Sequence, residues 1–190
     1  KKEDKYCELV LKSGLKINKE NVLVATGREP NLDFLNLESI GLEMDGRFIK
    51  VNNHNQTNHD NIYAIGDSID KPNLTPVAIE QGRVFSDYHF GKKMRDISYQ
   101  NIPKAVFTSP EISTVGLTEE EAKIIYKENN IKIFKCKFMP MSNTFKDNKS
   151  KCLLKLIVNI RTDKVLGCHM FGETASEIIQ MASIAINKGV

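Results

Sequence analysis

In residues Thr57 to Asp67, TNHDNIYAIGD, a polar stretch gives way to the apolar run Ile62-Tyr63-Ala64-Ile65, which a glycine and an aspartate bring to a stop. Such a run predicts a short strand with buried faces. Gly66, lacking a Cβ, lets a ligand approach the backbone, and Asp67 is left at the strand's carboxyl end. That end is where open α/β sheets bind their ligands. An ionised carboxylate only accepts hydrogen bonds, so Asp67 suits a ligand that offers hydroxyls better than bare phosphate.

On either side of this segment the pattern changes twice. Residues 6–10 and 15–17 flank Lys12-Ser13-Gly14 as a hairpin, and Val22-Leu23-Val24-Ala25 reads as a short buried strand. Gly27 and Arg28 open a loop closed by Pro30. Phe48-Ile49-Lys50-Val51 alternates like a strand after an Asp45-Gly46 turn. Lys71-Pro72-Asn73 leads into a helix with Thr75 as N-cap and Pro76 at its first position, and with Val77, Ala78, Val84, Phe85 and Tyr88 as its apolar stripe. Ile102-Pro103 marks a new domain. Beyond it, strands at 105–107, 131–138, 151–160 and 164–170 alternate with two helices, each opened by a capping box, Thr118 with Glu121 and Thr174 with Glu177. The second helix, 175–188, sets Ile178, Ile179, Ala182, Ala185 and Ile186 on one face. The expected fold class is therefore α/β followed by α+β, with an antiparallel sheet in the second part.

Composition narrows the function by exclusion. The formal charge of +3 comes from scattered lysines; Lys92-Lys93 and Arg95 are the densest basic spot, too short for a nucleic-acid surface. There is no apolar run long enough to span a membrane and no signal peptide in the first, charged residues. The four cysteines, Cys7, Cys136, Cys152 and Cys168, have neither C-x-x-C nor C-x4-C spacing, so they read as reduced, mostly buried thiols of a cytoplasmic protein. His54, His59, His89 and His169 lack metal-ligand spacing, and no metal site is expected. No G-x-G-x-x-G loop occurs.

Four motifs stand in order along the chain: Ala25-Thr26-Gly27-Arg28-Glu29-Pro30-Asn31, the Thr57 to Asp67 segment, Leu74-Thr75-Pro76-Val77-Ala78, and residues 105–112 followed by Thr114-Val115-Gly116-Leu117-Thr118. Together they resemble the class I pyridine nucleotide-disulfide oxidoreductases, and within them the glutathione reductase branch. The likeness covers essentially the whole chain. It implies the end of an NAD(P)H-binding domain at 1–28, the C-terminal part of a Rossmann-like FAD-binding domain at 29–100, and an interface, or dimerisation, domain at 101–190. It also implies an internal fragment, inactive alone and with no catalytic residue of its own, because relatives carry a redox cysteine pair upstream and a His-Pro-Thr segment downstream.

By the same resemblance electrons would pass from NADPH through FAD to a cysteine pair and on to glutathione disulfide, in a homodimer. Asp67 with the Gly66 backbone would hold the flavin's ribityl and pyrophosphate region, and Leu74 and Thr75 would lie at its ring, where a helix N-terminus favours the reduced, anionic flavin. Gly27 and Arg28 stand where the chain crosses between domains; Arg28 is either a contact for the NADP ribose or phosphate or a surface arginine at the junction. Ala105 and Phe107 match positions lining the nicotinamide side. Arg83 sits where glutathione reductases pair with a substrate carboxylate, against the alternative of a solvated helix arginine, and Met141 resembles a residue reaching the substrate site from the opposite subunit, though methionine fills cores as readily. A thioredoxin reductase, a lipoamide dehydrogenase and a non-catalytic flavin-binding or dimerisation module are the competing readings.

Overall fold

The computed structural model describes residues 6–145, 147 and 150–190. It consists of two units, Lys1–Ile97 and Ser98–Val190. The first is held by loops more than by sheet. Strands β1 (Cys7–Val10) and β2 (Lys16–Lys19) form the expected antiparallel hairpin. Strands β3 (Met44–Asp45) and β4 (Phe48–Ile49) form a second, minimal one. Residues 22–25 do not form the expected strand, and Leu23 is 92% exposed. A lone apolar run has no ladder for its amides and carbonyls, and no described strand offers it one. The core of this unit gathers Leu42, Ile49, Ala64 and Ile69, with Leu32, Leu37, Val51 and Ile62 packed around them.

Helix α1 (Thr75–His89) follows. Its N-cap is Leu74, not Thr75; no side chain caps it, and Pro76 lies in its first turn. Proline's fixed φ suits that turn and pulls the helix start back by one residue. Val77 and Val84 are buried as expected, while Tyr88 is exposed.

The second unit is a five-stranded antiparallel sheet in the order β5-β6-β9-β8-β7, formed by β5 (Lys104–Val106), β6 (Glu111–Gly116), β7 (Ile131–Phe138), β8 (Cys152–Asn159) and β9 (Val165–Gly172). Strand β6 was not legible as a strand. Ser113 occupies an inward position, 1% exposed, and its hydroxyl donates to the Lys104 carbonyl at 2.8 Å, so a polar residue breaks the apolar alternation. Helix α3 (Ala175–Asn187) packs Ala175, Ile179 and Ile186 on Val115, Cys152, Cys168 and Met170. Helix α2 (Glu119–Tyr126) places Ala122 against Ile131 and Ile157. Cys152 and Ile157 point to opposite sides of β8, so the two helices cover opposite faces. Where β6 and β9 meet, a Cβ on Gly116 would lie 2.3 Å from the Leu166 carbonyl oxygen, and Gly116 has φ +76°; only glycine allows that approach.

The two expected capping boxes have different outcomes. At α2 the box forms: the Glu121 amide donates to Thr118 Oγ1 at 3.2 Å and the Thr118 amide to Glu121 Oε2 at 2.8 Å. At α3 it does not, because Thr174 takes a left-handed backbone that turns its hydroxyl onto the Glu173 carbonyl. The helix is capped instead from across the sheet, where Glu111 Oε2 accepts from the amide and the hydroxyl of Ser176 at 2.9 and 2.7 Å. Ile178 and Ala185, expected beside Ile179 and Ile186, face outward. Cys152 is in the core, but Cys136 on β7 is exposed.

The bonds from Ser176, the backbone amide first, hold the Glu111 carboxyl below the usual carboxylate range. A group whose folded pKa is depressed stabilises the fold above its unfolded value, about 4.3, and loses that contribution as pH falls through the folded value. Urea midpoints of the wild type and Glu111→Gln should therefore differ near neutral pH and converge in acid. A difference that stays constant with pH would show that the Glu111 charge does not anchor α3.

Candidate functional site

The feature that organises the first unit's site is a polar residue on an apolar stripe. Val77, Gln81 and Val84 recur at helical spacing on the inner face of α1, and Gln81 is fully buried. A buried amide group needs partners. Gln81 Oε1 accepts the backbone N–H of Gly66 at 2.6 Å, so the helix grips the loop at the glycine that precedes Asp67. Gly66 has φ +69°, and a Cβ there would lie 3.5 Å from the Ala78 Cβ. Space is sufficient for a side chain; the backbone conformation is what asks for glycine.

Residues 62–65 are not the expected strand. Within them only Tyr63 makes a bridge, to Gln56, while the Thr57 amide donates to the Ile62 carbonyl and the Ala64 amide to the Asn55 carbonyl. The segment spends its hydrogen bonds on its own preceding loop and leaves none for a ladder. Asp67 then falls in a single 3-10 turn, Gly66–Ser68, with its carboxylate half exposed. Arg28 Nη2 lies 3.9 Å from Asp67 Oδ2. Arg28, Asp67, Ser68 and Asn73, the last just ahead of α1, line one cleft of about 280 Å³ with Pro30 and Leu32. No acidic residue occupies the first turn of α1. The cleft thus combines a hydroxyl-accepting carboxylate, a guanidinium suited to phosphate oxygens, and beside it the positive, uncapped end of a 15-residue helix. That donor set fits a ligand with both a polyol and a diphosphate.

Gly27, at φ +105°, precedes Arg28 with nothing close to its α-carbon face. Leu74 is half-buried and Thr75 exposed at the helix start. Arg83, 70% exposed, stands eight residues into the helix from Thr75, about 12 Å along its axis. Its Nη1 lies 3.9 Å from Glu80 Oε2. Arg95, from the chain beyond the helix, pairs with the other oxygen of Glu80 and with Asp87 Oδ2 at 2.8 Å. In the second unit, Ala105 is half-buried in β5 opposite Ser113, while Phe107 and Met141 are strongly exposed. Sequence reasoning singled out neither Gln81 nor Glu80. The signal for Gln81 was its place between Val77 and Val84; nothing local announced Glu80, whose partner is fifteen residues away.

Burial shifts two groups of the second unit. Burial pushes the Cys168 thiol up, and burial holds the His169 imidazole below its ordinary value while its ring meets the Leu117 carbonyl at 3.0 Å. Among the described residues, no cluster of histidine, cysteine or acidic side chains could hold a metal, and no helix is long and apolar enough to cross a membrane.

Residues 1–82 match the pyridine nucleotide-disulphide oxidoreductase family, and residues 102–190 match the dimerisation domain of the same family. The chain is 45% identical over 178 residues to a glutathione reductase of Nostoc sp., covering 88% of this chain and 39% of that protein. It is 41% identical over 172 residues to the chloroplastic/mitochondrial glutathione reductase of Pisum sativum, with 90% and 31% covered. It is also 40% identical over 174 residues to a dihydrolipoyl dehydrogenase of Buchnera aphidicola, with 90% and 35% covered. Among solved structures, the HOCl-induced flavoprotein disulfide reductase RclA from Escherichia coli superposes with a TM-score of 0.81 at 24% identity, over 98% of this chain and 42% of that one, a likeness of fold. The chain spans 31 to 39% of the length of these curated relatives. The two matches together take in most of the chain, which belongs to the pyridine nucleotide-disulphide oxidoreductase family.

Replacing Gln81 by Leu leaves the Gly66 amide without its acceptor and should destabilise the protein by about 1–3 kcal/mol, the cost of an unsatisfied buried group. Chemical denaturation measures it; an unchanged midpoint would mean that α1 does not hold the Asp67 loop through this bond.

Proposed function

We propose that this chain supplies the flavin-holding loop, the substrate-facing helix and the subunit interface of an NADPH- and FAD-dependent glutathione-disulfide reductase. The observation that carries this reading is the Gly66-Asp67 turn, fastened to α1 by Gln81 and opening with Arg28 on one cleft. Asp67 would accept from the ribityl hydroxyls, and Arg28 would face the pyrophosphate or the NADP ribose and phosphate. The start of α1, at Leu74 and Thr75, would lie against the flavin ring with its positive end. Bound FAD would take the hydride of NADPH and pass two electrons toward a disulfide. Gly27 would begin the crossing from residues 1–28 into 29–100, and Ala105 and Phe107 would line the nicotinamide side.

Substrate choice rests on Arg83. An exposed guanidinium on the helix that begins at the flavin favours a disulfide bearing carboxylates, which is the argument for glutathione disulfide over a dihydrolipoyl substrate. Met141, fully displayed in the second unit, would reach that substrate from the partner subunit. The four unpaired cysteines suit a reducing compartment, and a cytoplasmic reductase is the natural setting.

The second subunit is a second copy of the same chain. Helix α3 is apolar on both sides: Ala175, Ile179 and Ile186 face the sheet, while Ile178, Met181 and Ile184 are turned outward, the last two 72% and 63% exposed. A helix with an apolar stripe on each of two sides has more apolar surface than one sheet covers, so its outer stripe is proposed as the two-fold contact.

Two outcomes follow for a reductase of the relatives' length that carries this segment. Arg83→Ala should raise the KM for glutathione disulfide by a factor equivalent to about 1–3 kcal/mol of lost charged hydrogen bonding, and an unchanged KM would remove Arg83 from the substrate site. Met181→Glu combined with Ile184→Glu should convert the dimer to a monomer in sedimentation velocity; a dimer that persists would place the interface elsewhere.

A further inference from the structure

We propose that Arg95 is a positioning residue for substrate affinity, which keeps Glu80 occupied so that Arg83 remains available to a substrate carboxylate. The inference rests on reading Arg83 as a substrate contact. Glu80, Arg83 and Asp87 are spaced three and four residues apart and share one outer face of α1. Taken alone, that face carries two carboxylates and one guanidinium, and Glu80 Oε2 already stands 3.9 Å from Arg83 Nη1. An internal carboxylate at that distance competes with any carboxylate from outside for the same cation.

The chain after the helix supplies the missing positive charge. Gly91 and Lys93 donate their amides back to the Asp87 carbonyl at 3.0 Å, which reverses the chain. A Cβ on Gly91 would lie 2.9 Å from that same oxygen, so the reversal is built for glycine. It brings Arg95 over the helix, where Nε meets Asp87 and Nη1 meets Glu80 Oε1. Both Glu80 and Arg95 are little more than a third exposed, whereas Arg83 is 70% exposed. The fork of a guanidinium spans both carboxylates at once, which an ammonium could not do with the same geometry. The four charges then cancel, Glu80 turns its nearer oxygen to Arg95, and Arg83 projects outward, its one ion pair among the described residues being the 3.9 Å contact to Glu80 of its own helix.

The test uses a full-length reductase carrying this segment, with glutathione disulfide and its tetraethyl ester, which keeps the two amino groups but has no carboxylate, as substrates. Arg95→Ala should raise the KM for glutathione disulfide about two- to fivefold, the size of one exposed ion pair, with kcat unchanged. Adding Glu80→Gln should restore the KM, since the competing charge is gone, and the ester's KM should not move in either variant. Glu80→Gln alone, which keeps the side chain's shape, should not raise the KM and tests the idea even where Arg95→Ala does not fold. A KM that Arg95→Ala leaves unchanged while Arg83→Ala raises it overturns the role of Arg95 and spares that of Arg83. If Arg83→Ala itself has no effect, the substrate reading fails first. A rise for the ester equal to that for glutathione disulfide would mark a displaced helix and overturn the charge argument.

Discussion

One hydrogen bond, from the Gly66 amide to the buried side chain of Gln81, fixes most of what the first unit offers a ligand. Without it the segment from Ile62 to Asp67 has no sheet to lie in, because the backbone bonds of Ile62 and Ala64 return to the loop at residues 55–59. With it, the glycine is held against α1, and Asp67 is presented next to the segment that opens that helix. Burying an amide side chain among Val77 and Val84 is costly unless it is fully satisfied, so the bond both stabilises the helix face and selects a single position for the loop.

The same helix carries two kinds of chemistry on its two sides. Its inner face is apolar apart from Gln81 and holds the Gly66-Asp67 loop; its outer face carries Glu80, Arg83 and Asp87 and is balanced by Arg95 from the returning chain. Individually such surface pairs contribute little to stability. Their visible consequence is which guanidinium is left facing outward: Arg83 is 70% exposed, while Arg95 is held against the helix.

In the second unit the sheet is assembled from strands distant in sequence, and its helices are attached by contacts that local rules do not supply. Glu111 of β6 caps α3 across a separation of 65 residues. Val115, Cys168 and Met170 then bury one side of that helix and leave Ile178, Met181 and Ile184 on the other. The domain's core and its outward apolar stripe are two faces of one amphipathic conflict: the helix has more apolar surface than a single sheet can cover.

The amino-acid sequence determined what depends on near neighbours: the β1 and β2 hairpin, the α2 capping box at Thr118 and Glu121, the presence of α1, the extent of α3, and the strands β7 to β9. These follow from turn chemistry, capping geometry and periodicity, all set within a few residues. Tertiary structure alone decided the rest. It denied a strand to residues 22–25 and 62–65, made one of Glu111-Ile112-Ser113-Thr114-Val115-Gly116, moved the α3 cap from Thr174 to Glu111, and joined Gln81 to Gly66 and Arg95 to Glu80. Each of those outcomes turns on a hydrogen-bonding partner supplied from elsewhere in the chain, and a backbone or buried polar group takes whichever partner the packed fold brings to it.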